Sequence, residues 1–221
     1  MHIPDGFLAT PVWAALDLAA APALFFTVRR AQASLDEERI PLLRVMGAFV
    51  FAAQMINFPV GVGTSGHLVG GALLAMALGP AAAGVVIAAI LAIQALVFQD
   101  GGLLALGANL VNMAVVGVLA GYLPYHLWGA GKHRRGAVLL GGVLSVLASA
   151  LFALAELAIS GVRMPASMLA VSLGLFLVSA VLEGAITLAV VQALETIQPD
   201  FIRKPAGHGL SCRAYSAWLP S

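Results

Sequence analysis

The chain has 221 residues, 61% of them hydrophobic and only 10% charged, with a mean hydropathy of +1.00 and a formal net charge of +1. A soluble domain carries roughly 25% charged residues, so a water-soluble fold is excluded: it would have nowhere to put this much apolar surface. The single cysteine, Cys212, excludes an internal disulfide and any cysteine-based zinc or iron–sulfur site within the chain.

The chain opens Met-His-Ile-Pro-Asp-Gly. No basic segment precedes the first apolar run, so no cleaved signal peptide is expected and the mature chain is expected to begin at Met1. A free amine followed by His2 offers three nitrogens in sequence: the α-amine, the His2 amide and the His2 imidazole. Together they close fused five- and six-membered chelate rings and lie in one plane. A fourth nitrogen would complete the square-planar arrangement diagnostic of Ni(II) or Cu(II). All these nitrogens must lose their protons to bind, so affinity is expected to fall steeply as pH falls. Pro4 and Gly6 are expected to turn the terminus back toward the rest of the chain.

Hydropathy over a window of about 19 residues predicts spans at 11–28, 42–58, 67–78, 80–98, 103–123, 137–159 and 168–194. The third, at about 12 residues, is short for a crossing and reads as a broken segment. Charge parity nonetheless makes it cross. The basic residues fall into three clusters: Arg29, Arg30, Arg39 and Arg44; Lys132, Arg134 and Arg135; Arg203, Lys204 and Arg213. Placing all three on the cytoplasmic side requires an even number of crossings between the first and the second, and leaves only Arg163 outside. The predicted fold is therefore an all-α membrane protein, a bundle of seven transmembrane helices with the N-terminus outside and the C-terminus cytoplasmic. Helices are required because an unpaired amide in lipid costs several kcal/mol. Ala15, Ala19 and Ala23, like Ala48 and Ala52, recur at four-residue spacing. That is ordinary helix packing or a docking face for another membrane subunit.

Polar residues within apolar spans mark candidate sites: Asp17, Gln54, Asn57, His67, Gln94, Gln99, Asp100, Asn109, Asn112, Glu156 and Glu183. Between Asn57 and His67 the sequence NFPVGVGTSGH is a glycine-rich break, and such backbone at membrane depth must be buried in protein or line a cavity. Parity puts this break on the outer side with His2, so the two histidines can share one site. Alone, a histidine at position 2 is ordinarily an accident of sequence, and a lone histidine in a broken span is ordinarily a hydrogen-bonded structural group. The residues by themselves leave both readings open.

The segments MHIPDGFL, MINFPVGVGTSGHLVGG and QDGGLLALGANLVNMA together resemble the CbiM/NikM family, the substrate-specific (S) components of energy-coupling-factor (ECF) transporters for nickel and cobalt. The resemblance runs from Met1 to about Ile202. It implies a metal site formed by the amine of Met1, the amide and imidazole of His2, and His67. Ni2+ or Co2+ would be transported substrate, and no organic cofactor is expected. It also implies partners: a transmembrane coupling (T) subunit, cytoplasmic ABC-type ATPase subunits and a small accessory membrane protein; no nucleic acid is expected. The chain has no GxxxxGK[ST] phosphate loop and is expected not to be an enzyme. Asn57, Thr64, Ser65 and Asn109 are candidates for orienting the ligands. The expected organisation is one membrane-embedded metal-binding domain at 1–202 and a polar, disordered cytoplasmic tail at 203–221, with any accessory protein a separate chain. The expected location is the cytoplasmic membrane of a bacterium or archaeon, and a link to cobalamin synthesis would favour cobalt. The competing reading is a stand-alone divalent-metal channel, which would need a path of carboxylates that only Asp17, Glu156 and Glu183 could supply. An intramembrane metalloprotease would want H-E-x-x-H, which the sequence lacks.

Overall fold

The computed structural model describes residues 1–203; the predicted tail beyond Arg203 lies outside the described residues. Seven helices follow one another: α1 (Thr10–Ser34), α2 (Ile40–Gln54), α3 (Gly71–Leu78), α4 (Pro80–Phe98), α5 (Leu106–Trp128), α6 (Arg134–Ile159) and α7 (Ala166–Ile197). α1, α4, α5, α6 and α7 are each long and apolar enough to cross a membrane. Helices α1 and α7 run past the predicted spans at both ends, because hydropathy sees only the apolar stretch while the backbone stays helical into the polar flanks.

The third crossing is broken, as its length suggests. Its helix has only eight residues, about 12 Å at 1.5 Å per residue. The outer part is not helical: Phe58–Gly61 (β1) and Thr64–Gly66 (β2) pair antiparallel, Phe58 opposite Gly66 and Pro59 opposite Ser65. This hairpin departs from the all-helical expectation. It is tolerated because its own ladder and Ser172, whose hydroxyl donates to Val60 O at 2.8 Å, satisfy backbone groups that lipid could not.

The inner end of α3 shows that the crossing is completed. Its last-turn carbonyls lack partners within the helix and are capped from elsewhere: Arg203 N–H donates to Met76 O and the Arg39 guanidinium to Ala77 O, both at 3.0 Å. The Arg203 side chain also donates to Ser34 O, and its carbonyl accepts Tyr125 Oη–H, each at 2.8 Å. Arg134 lies over the Tyr125 ring and pairs with Glu195. One arginine from each basic cluster thus meets at one end of the bundle, as the parity argument requires.

All eight residues of α3 are buried among the other helices. Backbones approach closely where side chains are absent: a Cβ on Gly142 of α6 would lie 2.6 Å from the Gly184 Cα of α7. Small residues of this kind let membrane helices pack by van der Waals contact.

Candidate metal site

The first three residues are threaded into the outer end of the bundle. Met1 and Ile3 are fully buried and His2 is 2% exposed, whereas Pro4, Asp5 and Gly6 are at the surface. The terminus lies along the hairpin: the Met1 amine donates to Ser65 O, and Ser65 N–H donates to His2 O at 3.3 Å. Asn109 of α5 clamps the next residue from both sides, its Oδ1 accepting Ile3 N–H at 2.9 Å and its Nδ2 donating to Ile3 O at 3.1 Å. Gly102 N–H also donates to Ile3 O, at 2.9 Å. Asp5 anchors the turn that follows. Its carboxylate accepts the N–H groups of Leu103, Leu104 and Ala105 at 2.8–3.2 Å, in the turn that leads into α5.

Against this strap stands His67, 1% exposed, just after β2. The two imidazoles are 4.7 Å apart between centroids and tilted by 33°. Nδ1 of His67 lies 2.7 Å from Leu68 O. A carbonyl can only accept, so Nδ1 carries the proton and Nε2 keeps its lone pair. Neither His67 Nε2 nor His2 Nε2, both buried, has a hydrogen-bond partner. Such orphaned polar atoms are rare in folded proteins and call for an occupant.

Burial holds these groups uncharged. It pushes the Met1 amine down from 8.0 to about 4 and His2 from 6.5 to about 3. Around neutral pH the cluster therefore presents lone pairs rather than protons. Beside it, the Asp100 carboxylate comes within 4.0 Å of His2 Nε2 and accepts Asn57 Nδ2–H at 2.6 Å. Burial pushes the Asp100 carboxyl up, opposed by the Asn57 bond and the amine. Gly101, at φ +94°, leaves room for the ring: a Cβ there would lie 2.8 Å from His2 Nδ1.

Met1, His2 and His67 are thus brought together. Of the predicted orienting residues, Asn109 holds the strap, whereas Asn57 reaches the cluster only through Asp100. Ser65 acts through its backbone. The Thr64 hydroxyl makes only a long 3.5 Å contact with Ser65 O. Asp5, Gly101 and the roles of Asp100 and Glu183 were not assigned from sequence, although Asp5, Asp100 and Gly101 stand inside the quoted motifs. Among the described residues no three His, Cys, Asp or Glu side chains form a conventional metal cluster, so a cation here would need the main chain and the terminus as donors.

The family model for the cobalt uptake substrate-specific transmembrane region matches residues 2–201. A putative metal transport protein of Haloquadratum walsbyi is 40% identical over 204 residues, 91% of this chain and 93% of its own. A putative fused nickel transport protein, NikMN, of Archaeoglobus fulgidus is 36% identical over 95% of this chain and 70% of its own. The cobalt transport protein CbiM of Salmonella typhimurium is 37% identical over 67% and 62%. The crystal structure of a truncated transition metal transporter superposes with a TM-score of 0.80 at 33% identity, covering 89% of this chain and 99% of that one.

Proposed function

As the chain belongs to the CbiM family and is a multi-pass transmembrane component of cobalt and nickel uptake, we propose that it captures Ni2+ or Co2+ from the outer side of the cytoplasmic membrane in a site of four nitrogens. The donors are the Met1 amine, the His2 amide, His2 Nδ1 and His67 Nε2. The observation that carries this reading is the meeting of two buried imidazoles at a buried, uncharged amine, with Nε2 of His67 free of any hydrogen bond. With Nδ1 on the metal, Nε2–H of His2 faces Asp100, a carboxylate–histidine arrangement that fixes the ring and raises its basicity. Four nitrogens in a plane suit Ni(II) best, and Co(II) accepts the same donors.

Transport is driven by separate subunits: a membrane coupling protein and cytoplasmic ATPases, with a small accessory membrane protein. A stand-alone channel is less well supported. Asp17 accepts Gly107 N–H, Glu156 accepts from Asn112, and Glu183 accepts from Val69 and Gly70. The three carboxylates are thus each engaged with different partners rather than strung along one path. Metal uptake by vesicles holding this chain alone would favour the channel.

The test of the site is the amine. An N-terminal extension of several residues, ending in a linker without histidine, turns the Met1 amine into an amide. The extended protein should insert and fold but hold no metal, and protease cleavage that leaves Met1 first should restore binding. Equal nickel affinity before and after cleavage removes the amine from the ligand set.

A further inference from the structure

Glu183 is buried in α7, 2% exposed, in a stretch of helix whose outward face is apolar. A carboxylate at such a depth is costly and needs a reason. Both its oxygens are engaged with the segment that follows His67: Oε2 accepts Val69 N–H at 2.9 Å and Oε1 accepts Gly70 N–H at 2.7 Å. From the other side, Gln54 of α2 donates to Val69 O at 2.6 Å. Gly70 sits at φ +71°, and a side chain there would run into Val50, so the corner is fixed by conformation as well as by bonds.

The Val69 N–H and the Leu68 carbonyl belong to one peptide group. That carbonyl is the acceptor for Nδ1–H of His67, at 2.7 Å. A continuous line therefore runs from carboxylate to peptide N–H, through the peptide to its carbonyl, and on to the imidazole whose far nitrogen is free. Hydrogen bonds in series polarise one another. A negative charge on the N–H side makes the carbonyl a stronger acceptor, which makes Nε2 a better donor to a cation. We propose that Glu183 is a positioning and polarising residue for His67, acting through the Leu68–Val69 peptide. It would be an indirect counterpart of the carboxylate that backs His2. The proposal rests on the reading of His67 as a ligand.

Nickel titration and the visible ligand-field band of the Ni(II)-loaded full chain test it. Glu183→Gln keeps the shape but turns an NH2 group toward one of the two N–H donors. Affinity should fall about 10- to 100-fold, the scale for groups that orient a ligand, and the band should move to longer wavelength as His67 donates less. Gln54→Leu loosens the same corner without touching the relay; it should weaken binding and leave the band in place. Where Glu183→Gln does not fold, Glu183→Asp is read in the same way, because the shorter side chain cannot span both amides. Wild-type affinity and an unmoved band in the Glu183 variant, with binding lost in His67→Ala, overturn the relay alone. Weakened binding with no band shift, or an equal shift in Gln54→Leu, reduces Glu183 to a structural latch and also overturns it. Wild-type binding in His67→Ala overturns the ligand reading, and the relay falls with it.

Discussion

At its outer end α3 begins where Glu183 and Gln54 grip the peptides on either side of Val69, and at its inner end the Met76 and Ala77 carbonyls are capped by Arg203 and Arg39. Both arrangements suit the helix dipole, with a carboxylate at the positive end and cations at the negative one. They differ in what is left over. At the inner end the Arg39 guanidinium and the Arg203 N–H donate to the last carbonyls of α3, and the helix end is capped. At the outer end, one step beyond the grip, Nε2 of His67 remains unpartnered beside the His2 imidazole and an uncharged amine. An end whose helix carbonyls are capped serves the fold, whereas an end with a free imidazole nitrogen beside an uncharged amine offers donors to a cation.

Substituting residues at the two ends should separate these roles. The largest effect is expected from His67→Ala, which should abolish tight nickel or cobalt binding in titrations while the protein remains folded and inserted. Next comes pH. In the folded chain the amine and His2 protonate only near about 4 and 3, so above about pH 5 protons barely compete for them. The one proton that must leave is that of the His2 amide, so affinity should fall about tenfold per pH unit, roughly 300-fold from pH 8 to 5.5. Proton release measured on nickel addition should be close to one per metal; two or more would mean that the nitrogens are charged in the apo protein. The sign for stability follows from the same shifts. The unfolded chain takes up these protons at ordinary pKa values and the folded one does not, so the apo fold should lose stability as pH falls below about 8.

Smaller losses should follow at one remove from the ligands. Asp100→Asn, which weakens the partner of His2, should cost about 10- to 100-fold in affinity. Asn57→Ala should cost less, since it acts only on Asp100, and affinities measured side by side would rank them. At the other end of α3, Arg39→Ala should leave metal affinity unchanged and lower stability by about 1 kcal/mol, the net worth of a hydrogen bond partly open to solvent. A thermal melt and a titration on the same sample check both halves; a large loss of affinity would mean that the two ends are coupled.

Much of this was legible in the sequence, and the parts that were not share a cause. Span number and sidedness come from hydropathy and charge, which are local quantities, and Arg39, Arg134 and Arg203 do meet at one end. The break before His67 was visible as a run of glycines. Its form was not, because β1 and β2 have four and three residues, too few for alternation to register. Glu183 was visible as an odd carboxylate in an apolar span, but its partners lie 113 and 114 residues away. Asp5 and Asn109 likewise work across gaps of about a hundred residues. Spacing along a chain carries no trace of such contacts. The fall of affinity with pH keeps its sign, but burial of the amine and of His2 shifts its origin to the His2 amide proton.

The burial of the first residue has a consequence for how the protein is made. Met1 is held by Ser65, and Ile3 by Gly102 and Asn109, groups that are synthesised only after two or more further helices. The terminus must cross the membrane early and then wait, unpaired, until α5 has been inserted. Contacts so distant in sequence are slow to form, since the cost of closing the loop comes before the bonds that reward it. A nascent chain arrested before Asn109 should carry both histidines and still fail to retain metal, so nickel binding is a reporter of completed assembly.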